Sequence, residues 1–350
     1  MILYRTPLLL SLIILLPATF FATQAKATVV ATSADINLPQ EHRWVSLSAV
    51  NNVVWAGSDD GYVALSMDAG NTFELSRLAA DASLQQLHVR QLTVLDDHHG
   101  YALTSGEGAR SGLYITRNGG FSWRPLYRGE QQEQLRCMAI NPTGEAWILG
   151  DSQNEHWHVV RSNNGKHWNT SRSGFAKRTL PGEQASNTSD SCVRFENNTW
   201  LMGTQNAAVA RIMFKEDNAL RFQVSDTPLA GISAVWPLNP TTFLLAGGNA
   251  TTSELYTYQQ GEFNAVNTPA MHSAIEVLFQ QGDKVFIGNQ HGAYVSQLEQ
   301  TMAGNAKWES ILSNVLNNSE ESIGARAFTC SSKHCWLLGT DNQLYQVNTP

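Results

Sequence analysis

One short apolar phrase returns along the chain: an aromatic, two or three apolar neighbours and, in most copies, a glycine. It stands at Trp55–Gly57, Tyr101–Thr104, Trp147–Gly150, Trp200–Gly203, Phe243–Gly247, Phe286–Gly288 and Trp336–Gly339. The leading aromatics are 46, 46, 53, 43, 43 and 50 residues apart. That period matches the four-stranded blade of a β-propeller. A continuous apolar run suits a strand buried on both faces, and no 3.6-residue apolar period extends beyond about three helical turns. The pattern predicts an all-β, seven-bladed β-propeller.

Each repeat parses alike. An inner strand A precedes the phrase, the phrase is strand B, an alternating stretch is C, and a turn leads to an outer strand D. In the first repeat these are residues 47–50, 53–57, 62–66 and 72–76; in the third, 135–140, 146–150, 158–161 and 167–170. The last repeat supplies three strands, so a segment within residues 29–44 is expected to complete its blade. Such closure removes open sheet edges.

The C–D turns carry a second pattern. Ser66-Met-Asp68-Ala-Gly70-Asn-Thr72-Phe73 reads as an Asp-box, the bacterial neuraminidase repeat. The carboxylate can accept turn N–H groups, Gly supplies positive φ, and the aromatic is expected to pack beneath its own hairpin. Eroded copies are Thr116-x-Asn118-x-Gly120-x-Ser122-Trp123 and Asn163-x-Gly165-x-His167-Trp168. A fourth keeps Asp217 and Phe222 but has Ala219 where Gly is expected. These residues are structural, not catalytic.

Composition adds compartment and partner class. Arg5, the apolar run from Leu8 to Leu16 and Ala25-Lys26-Ala27 read as a secretory signal peptide over residues 1–27. The propeller then occupies residues 28–350 as one domain, secreted across the inner membrane into the periplasm, with no transmembrane segment after cleavage. The net charge of the chain, -7, contains no Lys/Arg block, which argues against nucleic acid as a partner. In an oxidising compartment Cys137, Cys192, Cys330 and Cys335 read as disulfides. Pairing Cys330 with Cys335 and Cys137 with Cys192 is favoured among three connectivities.

Trp44–Val50 with Val54–Gly57, the Asp-boxes, Leu180-Pro-Gly-Glu183, Cys192 and Asp226–Gly231 together resemble a bacterial exported Asp-box propeller family. Its members are often labelled "oxidoreductase" or "glycosyl hydrolase", and they are similar to the photosystem II stability/assembly-factor propellers. The resemblance implies a non-enzymatic protein-binding or assembly module whose partner is another exported or membrane protein.

In a propeller the B–C and D–A loops share one face around the central channel. The ligand-facing candidates are Asp59, Asp60, Glu107, Arg110, Asp151, Glu155, His156, Glu183, Gln205, Asn249, Gln290, His291 and Asp341. The alternative function is a sialidase-like glycan-binding or glycoside-hydrolysing propeller. That chemistry needs an arginine cluster and paired acids, whereas Arg43, Arg110, Arg136, Arg194 and Arg326 are spread over the blades. His98-His99 and His156-x-His158 invite a metal reading, but solvated turn histidines explain them as well. No Gly-rich phosphate loop or nucleophile elbow occurs, so neither a cofactor nor a metal is expected.

Overall fold

The computed structural model describes residues 29–32, 38–79, 87–153, 155–313 and 323–348. The expected signal peptide and most of the 311–324 connection lie outside them. The described strands form seven antiparallel sheets of four. Blade 1 contains Trp44–Val50, Val53–Ser58, Tyr62–Ser66 and Glu74–Arg77 as A to D. The A strands of the next six blades are His88–Val94, Leu135–Ile140, Val193–Glu196, Ile232–Asn239, Val277–Gln281 and Ala325–Cys330. Each A strand packs on the next, and blade 7 packs on blade 1, which closes the ring.

Burial falls from B outward. The B strands Val53–Ser58, Ala146–Gly150 and Thr199–Gly203 are buried at every residue. Outer strands such as Glu74–Arg77 bury one residue in four. A strand flanked by neighbouring sheets must be apolar on both faces, which is why the aromatic phrase marks B.

The turn aromatics depart from the sequence expectation. They pack on the B-strand aromatic of the preceding blade, not beneath their own hairpins. Trp123 meets Trp55 edge-on with centroids 5.6 Å apart, Trp168 meets Tyr101 at 6.0 Å, and Phe222 meets Trp147 at 5.0 Å. Phe73 packs, across the seam, against the cluster that contains Trp336. Gly120 sits at φ +92°, and a Cβ there would come within 2.4 Å of Leu65 in blade 1. Its glycine therefore serves both the turn and the blade interface.

Asp68 Oδ1 accepts from Ser66 Oγ (2.7 Å) and Thr72 N–H (2.9 Å), and Oδ2 accepts from Thr72 Oγ1 (2.7 Å). Asn118 accepts from Ser122 N–H at 3.0 Å. In blade 3 the register is one residue tighter. Asn164, not Asn163, accepts from Lys166 and His167 N–H groups, with Ser162 in the serine position. Asp217 has left its turn altogether: it accepts from the Trp200 indole and the Asn141 amide, each at 2.9 Å.

The ring is closed by Val30–Thr32, which pairs antiparallel with Leu344–Asn348, with Ala31 opposite Val347. Asn342 strengthens the seam by accepting from Trp44 N–H and donating to the His42 carbonyl, each at 2.8 Å. Disulfides join Cys137 to Cys192, from blade 3 to the start of blade 4, and Cys330 to Cys335 across one hairpin.

Removing residues 1–37 deletes the closing strand and is expected to lower Tm by about 5 °C or more, read by calorimetry. An unchanged Tm would show that the strand is dispensable. At Asp68 burial raises the carboxyl pKa, but bonds from Thr72, Ser66 and Asn71 outweigh it and hold the group below its ordinary value. Asp68→Ala should cost about 1–2 kcal/mol in urea unfolding. A depressed folded pKa stabilises above the unfolded carboxylate value. The difference from wild type should therefore shrink as pH falls below about 4 and through the folded pKa.

Candidate functional site

β-Bulges shape the channel mouth. On the A strands the register skips between Trp44 and Ser46, Val89 and Gln91, Leu135 and Cys137, Ile232 and Ala234, and Ala325 and Ala327. The extra residues are Val45, Arg90, Arg136, Ser233 and Arg326. A bulge re-aims the side chain it inserts, and these positions lie at the end of the channel entered from the D–A loops.

Arg90 organises this mouth. Its buried guanidinium donates to the carbonyls of Arg136 (3.0 Å), Asn187 (2.8 Å) and Ser186 (3.1 Å), and also to that of Ser189. A rigid fork of five donors can hold several carbonyls at once. It therefore binds the segment between blades 3 and 4 over the channel, while the Cys137–Cys192 disulfide fixes the end of that segment. Burial pulls the Arg90 pKa down to about 10, which leaves it charged at neutral pH.

Two cavities flank this segment. One, of about 440 Å³, is lined by Arg43, His88, Arg90, Asp190, Glu276 and Arg326, among others. The second, of about 420 Å³, is lined by Gln205, Asn206, Asn249, Ser273 and neighbouring backbone. Asn187, Thr188, Glu276 and Gln290 belong to both. Burial first, then the Arg90 charge, lowers the His88 pKa; burial raises that of Glu276. The mouth thus offers amides and hydroxyls beside its charged groups. It can hydrogen-bond a polar, uncharged chain in either direction.

Most of the arginines at the mouth are engaged internally. Arg136 grips Asp151 through Nη2 (2.7 Å) and Nε (3.1 Å). Arg326 donates to the carbonyls of Thr340 (2.7 Å) and Trp44 (3.2 Å), and Arg43 pairs with Asp59 at 3.2 Å. Arg43, Arg90 and Arg326 share one cavity, but the guanidiniums of Arg90 and Arg326 are held by carbonyls.

Of the sequence candidates, Gln205, Asn249 and Gln290 line these cavities. His291 is exposed beside Gln290, and their side chains meet at 3.2 Å. Glu183 is a correction. It is fully buried, pairs with Arg211, and also accepts from Thr204 Oγ1 and Leu180 N–H at 2.8 Å each. Its acceptors are saturated in folding the 172–192 connection, which leaves none for a ligand. Asp151 and Asp341 are likewise turned inward, toward Arg136 and the Tyr345 hydroxyl. Asp60 pairs with His42 at 2.8 Å. Glu107 and Arg110 flank an exposed turn, while Glu155 and His156 are exposed away from the mouth. His158 does not join His156: it is buried, 3.6 Å from Glu133.

Arg90, His88, Asn187, Thr188, Asp190 and Glu276 were not among the sequence candidates. A signal for Arg90 was present, since Val89-Arg90, Leu135-Arg136 and Ala325-Arg326 occupy the same place in their repeats.

No family model matches the chain, and no curated protein matches it in sequence. Solved structures do match in fold. YCF48 bound to a D1 peptide has a TM-score of 0.61 at 11% identity, covering 92% of this chain and 95% of that one. YCF48 from Cyanidioschyzon merolae gives 0.63 at 13%, covering 91% and 98%. The Neurospora crassa Pan2 WD40 domain gives 0.60 at 14%, covering 92% and 94%. The chain has the seven-bladed propeller fold. No described helix is long and apolar enough to cross a membrane.

Removing one partner of a buried ion pair strands the other. Glu183→Ala is therefore expected to cost about 3–5 kcal/mol in chemical denaturation. A loss below 1 kcal/mol would return Glu183 to the ligand-facing set.

Proposed function

We propose that this chain is an exported, non-enzymatic propeller that binds an extended segment of a partner protein across the channel mouth. The observation carrying this reading is the pair of adjoining cavities that share Asn187, Thr188, Glu276 and Gln290. Together they form a polar groove rich in amides, and extended peptide backbone presents donors and acceptors that such side chains complement. The solved complex of YCF48 with a D1 peptide supports the reading, because a propeller of the same fold holds a peptide. An assembly role in the periplasm follows from the expected signal peptide and from the resemblance to the assembly-factor propellers. Glycoside hydrolysis is disfavoured because Arg136 and Arg326 are engaged with internal partners.

A photo-crosslinking residue at Gln290 or Asn187, activated in intact cells, should give a discrete protein adduct identified by mass spectrometry. The same residue at Asn71, on the turn face, should not. Equal adducts from both faces, or none from the mouth, would contradict the proposal. So would release of a fluorophore from a sialoside by the purified chain.

A further inference from the structure

Arg194 differs from the other channel arginines. No register shift precedes it, and it lies opposite Leu201, deeper along the inner strand than the bulge positions. It reaches a separate cavity of about 180 Å³, in the half of the channel toward the A–B turns. Its guanidinium lies over Trp236, 4.4 Å from the ring centroid, and 5.6 Å from that of Phe279. The two rings pack together at 4.7 Å. Arg90, Arg136 and Arg326 are held by carbonyls or carboxylates. Among the described residues Arg194 has no ion pair, and its Nε is closed off from solvent with no hydrogen-bond partner.

An orphaned polar group is costly, and one on a charged guanidinium costs more than the neutral indole and hydroxyl groups left unpaired elsewhere, Trp55 and Tyr114 among them. Stacking on aromatic faces covers the guanidinium plane and leaves the terminal Nη–H groups, which are not closed off as Nε is, as the donor edge for a carboxylate. The surroundings fit the same ligand. Ser48, Thr93 and Thr329 bring hydroxyls to the wall, and Met138, Phe279 and Phe328 bring apolar surface. Ser48 Oγ already accepts from Val94 N–H at 3.1 Å, so its proton is free to be donated. Asp190 and Glu196 also line the cavity. These carboxyl groups oppose a multiply charged anion such as phosphate more strongly than they oppose a single carboxylate. Burial raises the Glu196 pKa, despite the opposing Arg194 charge, which favours the neutral form that donates a hydrogen bond. The volume lies below the roughly 300–1,000 Å³ of sites for drug-sized ligands.

We propose that Arg194 anchors a carboxylate site in this half of the channel, taking a short aliphatic acid whose tail lies against Phe279 and Phe328. The same head group could come from a free acid or from the C-terminus of a threaded chain. The probes are therefore butyrate, with butyramide as its neutral control, and trialanine with a free or an amidated C-terminus. All are titrated at constant ionic strength into protein labelled with ¹⁵N-arginine.

One arginine Nε–H resonance should shift saturably with butyrate and not with butyramide. Arg194→Met keeps the apolar stem on Trp236; it should abolish that resonance and weaken binding by calorimetry at least tenfold. Glu196→Gln, which keeps a donor in place, should bind at least as tightly as wild type. Response to free-acid trialanine alone would place a chain end at the same anchor. The proposal is overturned if no arginine resonance responds to either acid, or if Arg194→Met binds as wild type does. The spectrum of the unsubstituted protein decides the matter even if the variant does not fold.

Discussion

The fold depends on one repeated contact, the aromatic at the start of an outer strand set against the aromatic at the start of the preceding blade's B strand. Trp123 on Trp55, Trp168 on Tyr101 and Phe222 on Trp147 each join two sheets that share no backbone hydrogen bonds. Such pairs combine large apolar burial with an edge-to-face preference that fixes the angle between neighbours. The turns exist to deliver that ring. Asp68 and Asn118 fix the chain reversal, positive-φ glycines let it approach the preceding blade, and the aromatic follows within three residues. Tyr101 adds a polar tie, donating its hydroxyl to the Gly165 carbonyl at 3.1 Å.

Where the turn chemistry erodes, other interactions hold the same interface. In blade 4 the Asp217 carboxylate takes the Trp200 indole, and the buried Lys215 ammonium lies 5.4 Å from the Trp147 centroid and 5.5 Å from that of Phe222. Lys215 also pairs with Glu145 of blade 3 at 3.1 Å. The Phe222 contact with Trp147 therefore survives although the turn lacks its glycine. Charge is used in the same way at the channel. Arg90 and Arg211 convert an irregular connection into a fixed cover over the mouth, one through carbonyls and the other through Glu183.

The blades were legible because burial on both faces makes B a continuous apolar run, and that run repeats with the blade. The closing strand followed from counting three strands in the last repeat. The turn register of blade 3 was not legible, because Asn163 and Asn164 stand side by side and only hydrogen-bond geometry selects the second. The partner of each turn aromatic was hidden for a related reason: a motif shows its own hairpin, while the contact crosses to another blade. The site was less legible still. Asp151, Glu183 and Asp341 carry suitable groups on suitable loops, yet their oxygens are taken by Arg136, Arg211 and Tyr345. Arg90 shares its repeat position with Arg136 and Arg326, but that the position faces the channel follows from the bulge, which no single residue type marks.

The most direct test of this account is a double-mutant cycle between blades 1 and 2, using Trp55→Leu and Trp123→Leu in urea unfolding. The two rings meet only across the blade interface. Their losses should therefore fail to add, with a coupling of about 0.5–1.5 kcal/mol. Additivity within about 0.3 kcal/mol would show that each ring packs within its own blade, and that something other than the aromatic contact sets the ring.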